Sequence, residues 1–570
     1  MSSPSPSAVP TKRILYCGSD AERFHDLVGR MAASADSSVE NVDKGCRFST
    51  PRAEQSWMPV FTIAAAQQFV QHDYVNLVVI DLRSDHGGFK LEQRVERVRR
   101  LLVELDDVDD LEARYGFHRI MVLVSGPDGD RIDRLLIELG GFGVRHALKH
   151  RRDPSPDGGW AERDPDAFAE KVLDQAEALM LERPRSQTAL CAAGGGITAI
   201  FFELGALKCL DDCLTPGTHQ AFDMYFGISA GAVVTSLLAN GFLAEEFMAA
   251  LSGHEGGRIA PLSLSLARLG HVNWPDMNRR LGIALRSAVR SAIDVVRGRG
   301  GPTIDDVFLG GTALVGAPFR SDRYEQMLRG ILESPGSTND FRELRAPLYI
   351  GASNQDARRH CLFGDEEHDH VPISVAAQAS LSINPAFSAV EIDGAFYEDG
   401  AVTRTSNFVE AIRRGADLIF VLDPFVPYVS KEPGFANRRG MLFNIDQDVR
   451  SISYTRYENA RNWALRRYPE VSSYTFLPNN RLRKLLSINP MDHRIHIEIG
   501  KGAYLATLAR LQAVRHRLEG DLAAHGLKLD LQAAEAIAER LEAVEEPTLA
   551  DFFVDGRVEL RTPPLTLDHA

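Results

Sequence analysis

Residues 227–231 read Gly-Ile-Ser-Ala-Gly, set between an apolar run, Phe222-Asp223-Met224-Tyr225-Phe226, and a helix-like stretch, Ala232 to Leu238. A strand, a cramped Gly-x-Ser-x-Gly turn and a helix make a nucleophile elbow. The small residues Gly227 and Gly231 let the backbone bend sharply enough to lift the Ser229 hydroxyl clear of the main chain. The helix N-terminus beneath it favours developing negative charge. Ser229 is therefore the candidate nucleophile, against the plainer alternative of a turn residue in a Gly/Ala-rich loop.

A serine hydroxyl is a weak nucleophile and needs both a base and donors for the oxyanion formed on attack at a carbonyl. Upstream, Thr188 to Ala193 reads as a short buried strand and runs into Gly194-Gly195-Gly196 before a helix over Ala199–Leu207. Three glycines at such a junction can turn several N–H groups toward one point, as an oxyanion hole or a phosphate cradle. A lone Gly-Gly-Gly is as readily a flexible loop, but a second strand–loop–helix unit some thirty residues later favours the functional reading. For the base, residues 390–401 contain Asp-Gly-Ala twice, at Asp393 and at Asp399. Either aspartate could project a carboxylate from a strand end, and either could equally sit in a hairpin turn.

Taken together, these blocks resemble the patatin-like phospholipases: a glycine-rich loop at Gly194–Gly196, Gly-x-Ser-x-Gly at Gly227–Gly231, the run Ala379–Phe387, and a late Asp-Gly-Ala at Asp399–Ala401. The pattern places Gly-x-x-Tyr before the catalytic aspartate, as Gly394-Ala395-Phe396-Tyr397 does, so the resemblance selects Asp399 over Asp393. It implies a three-layer α/β/α core, a Ser229–Asp399 dyad without histidine, and cleavage of lipid carboxylic esters through an acyl-enzyme, as in phospholipase A or lysophospholipase chemistry. One departure is Thr198-Ala199, where the family usually carries a basic residue and glycine; backbone donors do not depend on that charge. Two rival readings stand beside this one. A Ser–His–Asp esterase would draw on Asp423 with His493 or His496, and a non-catalytic lipid-binding signalling scaffold could retain the same fold.

The chemistry must be positioned by a chain of 570 residues, which predicts more than one domain. The expected layout is a tail over 1–12, a doubly wound α/β domain over 13–150, a linker with a short helix over 151–186, the catalytic domain over 187–430, and a largely helical extension over 431–570 that completes the core. A net charge of −14 argues against nucleic-acid binding. Six cysteines are too few for a disulfide framework, and Cys209 and Cys213, four apart on a helix, read as packing residues. The acidic loop Asp365–His370 is read as a solvated turn, so neither a metal nor another cofactor is expected. No secretory leader and no bilayer-spanning stretch is evident, which fits a cytoplasmic protein, peripheral on the inner membrane face where it meets lipid.

In the first 150 residues, Arg13–Cys17, Asn76–Ile80 and Arg119–Val124 read as buried parallel strands. With Asp81 ending one strand, Ser125 another and Lys149 after a fourth, the unit resembles a response-regulator receiver domain, yet Gly18 and Ser19 stand where that family holds its acidic pair. The reading is a degenerate receiver serving regulatory protein contact or dimerisation, with phosphorylation of Asp81 the lesser alternative. For membrane contact, Arg279–Arg299 is basic with apolar residues on one helical face, either an interfacial helix or a lid; Arg450–Tyr468, mixing aromatics with arginines, is a second candidate. Head group, acyl position and chain length depend on pocket shape and are not legible.

Overall fold

The computed structural model describes residues 11–561 except 84–118 and 266–316, where only scattered positions are described, and short stretches at 43–44, 74, 127–129, 142–143, 155–159, 181–186, 318, 385 and 469. The chain divides into two units: the first holds residues up to 186 with 462–472 and 513–526, and the second holds the remainder.

The first unit is built on eight strands: β1 (Thr11–Cys17), β2 (Glu40–Val42), β3 (Gly45–Ser49), β4 (Glu54–Val60), β5 (Leu77–Asp81), β6 (Ile120–Gly126), β7 (His146–Pro154) and β8 (Trp160–Glu162). They lie in the order β2-β3-β4-β1-β5-β6-β7-β8. From β4 to β7 the pairings are all parallel, which is the doubly wound order in which the second parallel strand flanks the first and the chain then builds outward on the other side. The period-2 alternation of a strand sends Ile14 and Tyr16 to a core with Phe24, Trp57 and Phe168, while Leu15 and Cys17 join Met58, Val78 and Leu135 on the opposite face. Two expectations change here. Lys149 lies inside β7 rather than after it, and Arg151–Pro154, expected as linker, extends β7 and pairs antiparallel with β8, Arg152 facing Glu162. The charged composition suggested a loop, but it is also what an edge strand carries. The expected short helix follows at Pro165–Met180.

The second unit holds the sheet β16-β17-β14-β11-β9-β18-β19 with β15 also on β14. Its strands are β9 (Gln187–Ala192), β11 (Met224–Ile228), β14 (Leu348–Asn354), β15 (Arg359–Phe363), β16 (Val390–Ile392), β17 (Ala395–Asp399), β18 (Ala416–Leu422) and β19 (Ser472–Phe476). Two-residue pairs lie apart from it: β10 (Leu214–Thr215) with β20 (Lys528–Leu529), and β12 (His271–Val272) with β13 (Phe319–Arg320). The centre, β14-β11-β9-β18, is parallel and largely buried, so these strands are mostly apolar. Helix Ile197–Cys213 leads from β9, and the elbow helix Ala230–Ala239 leads from β11; all ten residues of the latter are buried. Such helices carry little amphipathic pattern because both faces are covered. Beyond residue 430 the long helices Met441–Arg467 and His496–Ala524 supply core residues, among them Tyr457 of the former and Tyr504, Leu508 and Leu511 of the latter. Among the described residues, no helix is long and apolar enough to cross a membrane.

Candidate active site

Ser229 has φ 55° and ψ −119°, a strained conformation for a residue with a side chain, between the end of β11 and the first turn of the elbow helix. The surrounding structure enforces it. A Cβ on Gly231 would come within 2.3 Å of the Ala192 carbonyl oxygen, and one on Gly227 within 2.3 Å of the Thr235 hydroxyl. The elbow therefore sits where only glycine allows strand and helix to approach. The Ser229 N–H donates to Ser380 Oγ at 2.8 Å, and Ser380 Oγ–H donates in turn to the Gly351 carbonyl at 2.6 Å.

The glycine loop closes over this residue. A Cβ on Gly194 would lie 2.9 Å from the Ser229 Cβ and 3.5 Å from its Oγ. The N–H groups of Gly194, Gly195 and Gly196 make no backbone hydrogen bond among the described residues, whereas their neighbours do: Ala193 N–H donates to the Leu422 carbonyl, and Thr198 N–H to the Pro490 carbonyl. Gly196 is the N-cap of helix Ile197–Cys213 and Ser229 that of the elbow helix, so each of the two loops ends at a helix N-terminus, which favours negative charge. Thr198 is fully buried, and both its N–H and its hydroxyl donate to Pro490 O, at 3.1 and 3.3 Å. That site anchors the loop through neutral hydrogen bonds.

Sheet register brings in the carboxylate. On one edge of β14, Ile228 pairs with Gly351, and there β11 ends as the chain turns at Ser229. The next β14 residue, Ala352, pairs with Asp399, so antiparallel β17 takes over the edge that the elbow vacates while β15 occupies the opposite edge. Asp399 is thus adjacent to Ser229 by strand pairing, and the Ser229 side chain hydrogen-bonds its carboxyl. Asp399 Oδ1 also accepts from the Ala401 N–H at 2.8 Å. Burial pushes the Asp399 carboxyl up to about 7, against the lowering effect of the Ser229 and Ala401 hydrogen bonds. A carboxyl titrating there is matched to proton transfer near neutrality. Asp393, by contrast, is in the β16–β17 hairpin turn with φ 51°, and its carboxylate meets His370 at 2.9 Å.

Of the rival triad's residues, Asp423 Oδ1 accepts from Phe425 N–H at 2.9 Å and its Oδ2 has no partner among the described residues, while His496 Nε2 faces Ser252 Oγ at 3.3 Å. Two residues without a role in the sequence reading matter instead. Ser380 links the Ser229 backbone to β14, and Glu203, wholly buried with neither oxygen partnered among the described residues, is held well above the usual carboxylate range by burial and by the nearby Asp423. Burial likewise raises Asp423 to about 6. No spacing rule points to either, because each acts across the fold.

Elsewhere, no group of three or more metal-ligating side chains occurs among the described residues, and His368 in the acidic loop faces Asp365. Cys209 and Cys213 are buried. Arg279–Arg299 falls largely outside the described residues. In the first unit, Asp81 is enclosed: Arg83 Nε and Nη2 donate to its carboxylate at 2.7–3.1 Å, and Tyr16 O–H donates at 2.6 Å. Burial would raise its carboxyl, but these partners outweigh burial and the net direction is down.

A strained serine beneath a glycine loop, with a buried carboxyl on its hydroxyl, is an arrangement suited to nucleophilic attack by serine. Residues 190–412 match the family model of patatin-like phospholipases, so the elbow, the glycine loop and Asp399 all fall within that patatin-like domain. No curated protein matches the chain. Among solved structures, VipD from Legionella pneumophila aligns at 12% identity and a TM-score of 0.27, covering 68% of this chain and 77% of that one. The type III effector protein ExoU aligns at 16% identity and a TM-score of 0.24, covering 65% and 69%.

Proposed function

We propose that this protein is a lipid acyl hydrolase that cleaves carboxylic esters through a Ser229–Asp399 dyad. Asp399 accepts the Ser229 proton as the serine oxygen attacks the ester carbonyl, and the N–H groups of Gly194–Gly196 stabilise the oxyanion. Collapse expels the alcohol, which takes up the proton held by Asp399, leaving an acyl-Ser229 ester. Water then attacks that ester as Asp399 again accepts a proton, and collapse breaks the bond to Ser229 Oγ, which takes that proton back as the fatty acid leaves. The observation that carries the reading is the buried Asp399 carboxyl, hydrogen-bonded by the strained Ser229 and pushed up to about 7. The match of residues 190–412 to patatin-like phospholipases supports lipid esters as the substrate class. Hydrolysis of phospholipid vesicles and of a short soluble ester tests it: Ser229→Ala should abolish both while leaving the unfolding transition in place. Turnover well above the background left by oxyanion and binding effects would overturn the assignment.

A further inference from the structure

Helix Met441–Arg467 is built inside out along its first turns. Its buried face carries Gln447, Arg450, Ser453, Tyr457 and Arg461, and these polar groups are bonded. Arg450, 1% exposed, donates to the Pro424 and Leu486 carbonyls and to Asp446, and its guanidinium lies 4.6 Å from the Phe425 ring centroid. The opposite face presents Met441, Ile445, Val449 and Ile452, which are 73, 48, 43 and 66% exposed. Spacings of four, four and three put these side chains in one stripe. A surface helix packed only on its own protein has the reverse polarity.

The segments packed on this helix expose apolar residues of their own. Val429, 60% exposed, follows Tyr428, whose N–H donates to Gln447 on this helix. Ile488 lies two residues past the carbonyl that holds Arg450. Val402 has its carbonyl bonded to Arg456, one turn beyond Ile452. Val402 also lies on the turn that follows Asp399. Single exposed apolar residues are ordinary, whereas a contiguous patch marks an interaction site.

Charge identifies the partner. Within 428–461 and 473–488, the exposed charged side chains are Lys431, Arg438, Arg439, Arg481 and Lys484 against Glu432 and Asp448, in a chain of net charge −14. Arg439 and Lys484 both lie over the Phe435 ring, which packs on Phe443 at the start of the helix. We infer that this face docks on an anionic lipid bilayer, with Met441, Ile445, Val449 and Ile452 entering the acyl boundary and the cations meeting acidic head groups. This rests on the proposed hydrolase reading, which sets the scissile ester in that same surface.

The test is flotation with vesicles of phosphatidylcholine, alone or with phosphatidylglycerol. It is done on the full chain carrying Ser229→Ala, so that binding is read without turnover. Ile445→Glu with Ile452→Glu should lower binding to the mixed vesicles about tenfold or more, and added salt should weaken wild-type binding. Ile137→Glu, at an equally exposed apolar site in the first unit, should not. With Ser229 restored, the double variant should lose vesicle hydrolysis and keep soluble-ester hydrolysis. Unchanged flotation of the double variant overturns the inference even if Ser229 proves to be the nucleophile. So does a wild-type dimer that the double variant dissociates without change in flotation, which would make a second copy the occupant.

Discussion

Replacing Asp399 by Asn should split activity from stability, in opposite directions. Within the fold the Asp399 carboxyl titrates at about 7, against an ordinary 3.8, because burial disfavours its charged form. Below pH ~4 the carboxyl is protonated in both folded and unfolded chains, and it introduces no difference between them. Between pH ~4 and about 7 the unfolded chain ionises this carboxyl while the folded protein keeps it protonated, so stability falls across that window and levels off above it, where both forms are carboxylates. At about 1.4 kcal/mol per pH unit, the full cost is about 4 kcal/mol once pH is well above 7. Asn is nearly isosteric, keeps an oxygen for the Ala401 N–H and has no such ionisation. Asp399→Asn should therefore be more stable than wild type at pH 9, by up to about 4 kcal/mol or about 5 °C in a unit of this size, and equal to it near pH 4. Asp211 and Asp423, each raised to about 6 mainly by burial, titrate alike in both proteins and cancel from the difference. Activity should move the other way: wild-type kcat/KM on a soluble ester rises with pH through about 7, and the variant loses about a thousandfold or more. Urea unfolding of both proteins at pH 4, 7 and 9 measures the stability difference. A variant less stable than wild type at pH 9, or a difference independent of pH, refutes the reasoning.

Two further outcomes follow from the contacts. Gly194→Ala places a methyl 2.9 Å from the Ser229 Cβ, so it should cost ester hydrolysis about a hundredfold or more while circular dichroism stays unchanged; near-wild-type turnover would remove the glycine loop from the site. Asp81, held by Arg83 and Tyr16, should take up no phosphoryl group from acetyl phosphate, and a mass shift mapped to Asp81 would show that this enclosure opens.

The elbow and the glycine loop were legible because their chemistry is local: Gly227, Ser229 and Gly231 need only a strand before and a helix after, and Gly194–Gly196 repeats that arrangement. The choice of Asp399 over Asp393 was not legible from the residues themselves, since both end short apolar runs followed by glycine. It depends on register, where Ala352 pairs with Asp399 just past the Gly351–Ile228 pair while Asp393 is left in the hairpin turn. Ser380 meets Ser229, and Glu203 lies near Asp423, over long separations in the chain, and no spacing encodes such meetings. Lys149 and Arg151–Pro154 misled because charge on an edge strand looks like a loop. The helix Met441–Arg467 was read through its aromatics and arginines, yet Tyr457 and Arg450 turn inward and its aliphatic stripe turns out.

The central claim is that Ser229 is the nucleophile and Asp399 its base. Treating the full chain with a fluorophosphonate probe and mapping the modified residue by peptide mass spectrometry tests this most directly. The account predicts one adduct, on Ser229, whose rate of formation rises with pH through about 7 and collapses in Asp399→Asn. An adduct on another serine, or labelling of Ser229 that survives Asp399→Asn and is abolished by alanine at His493 or His496, would contradict it.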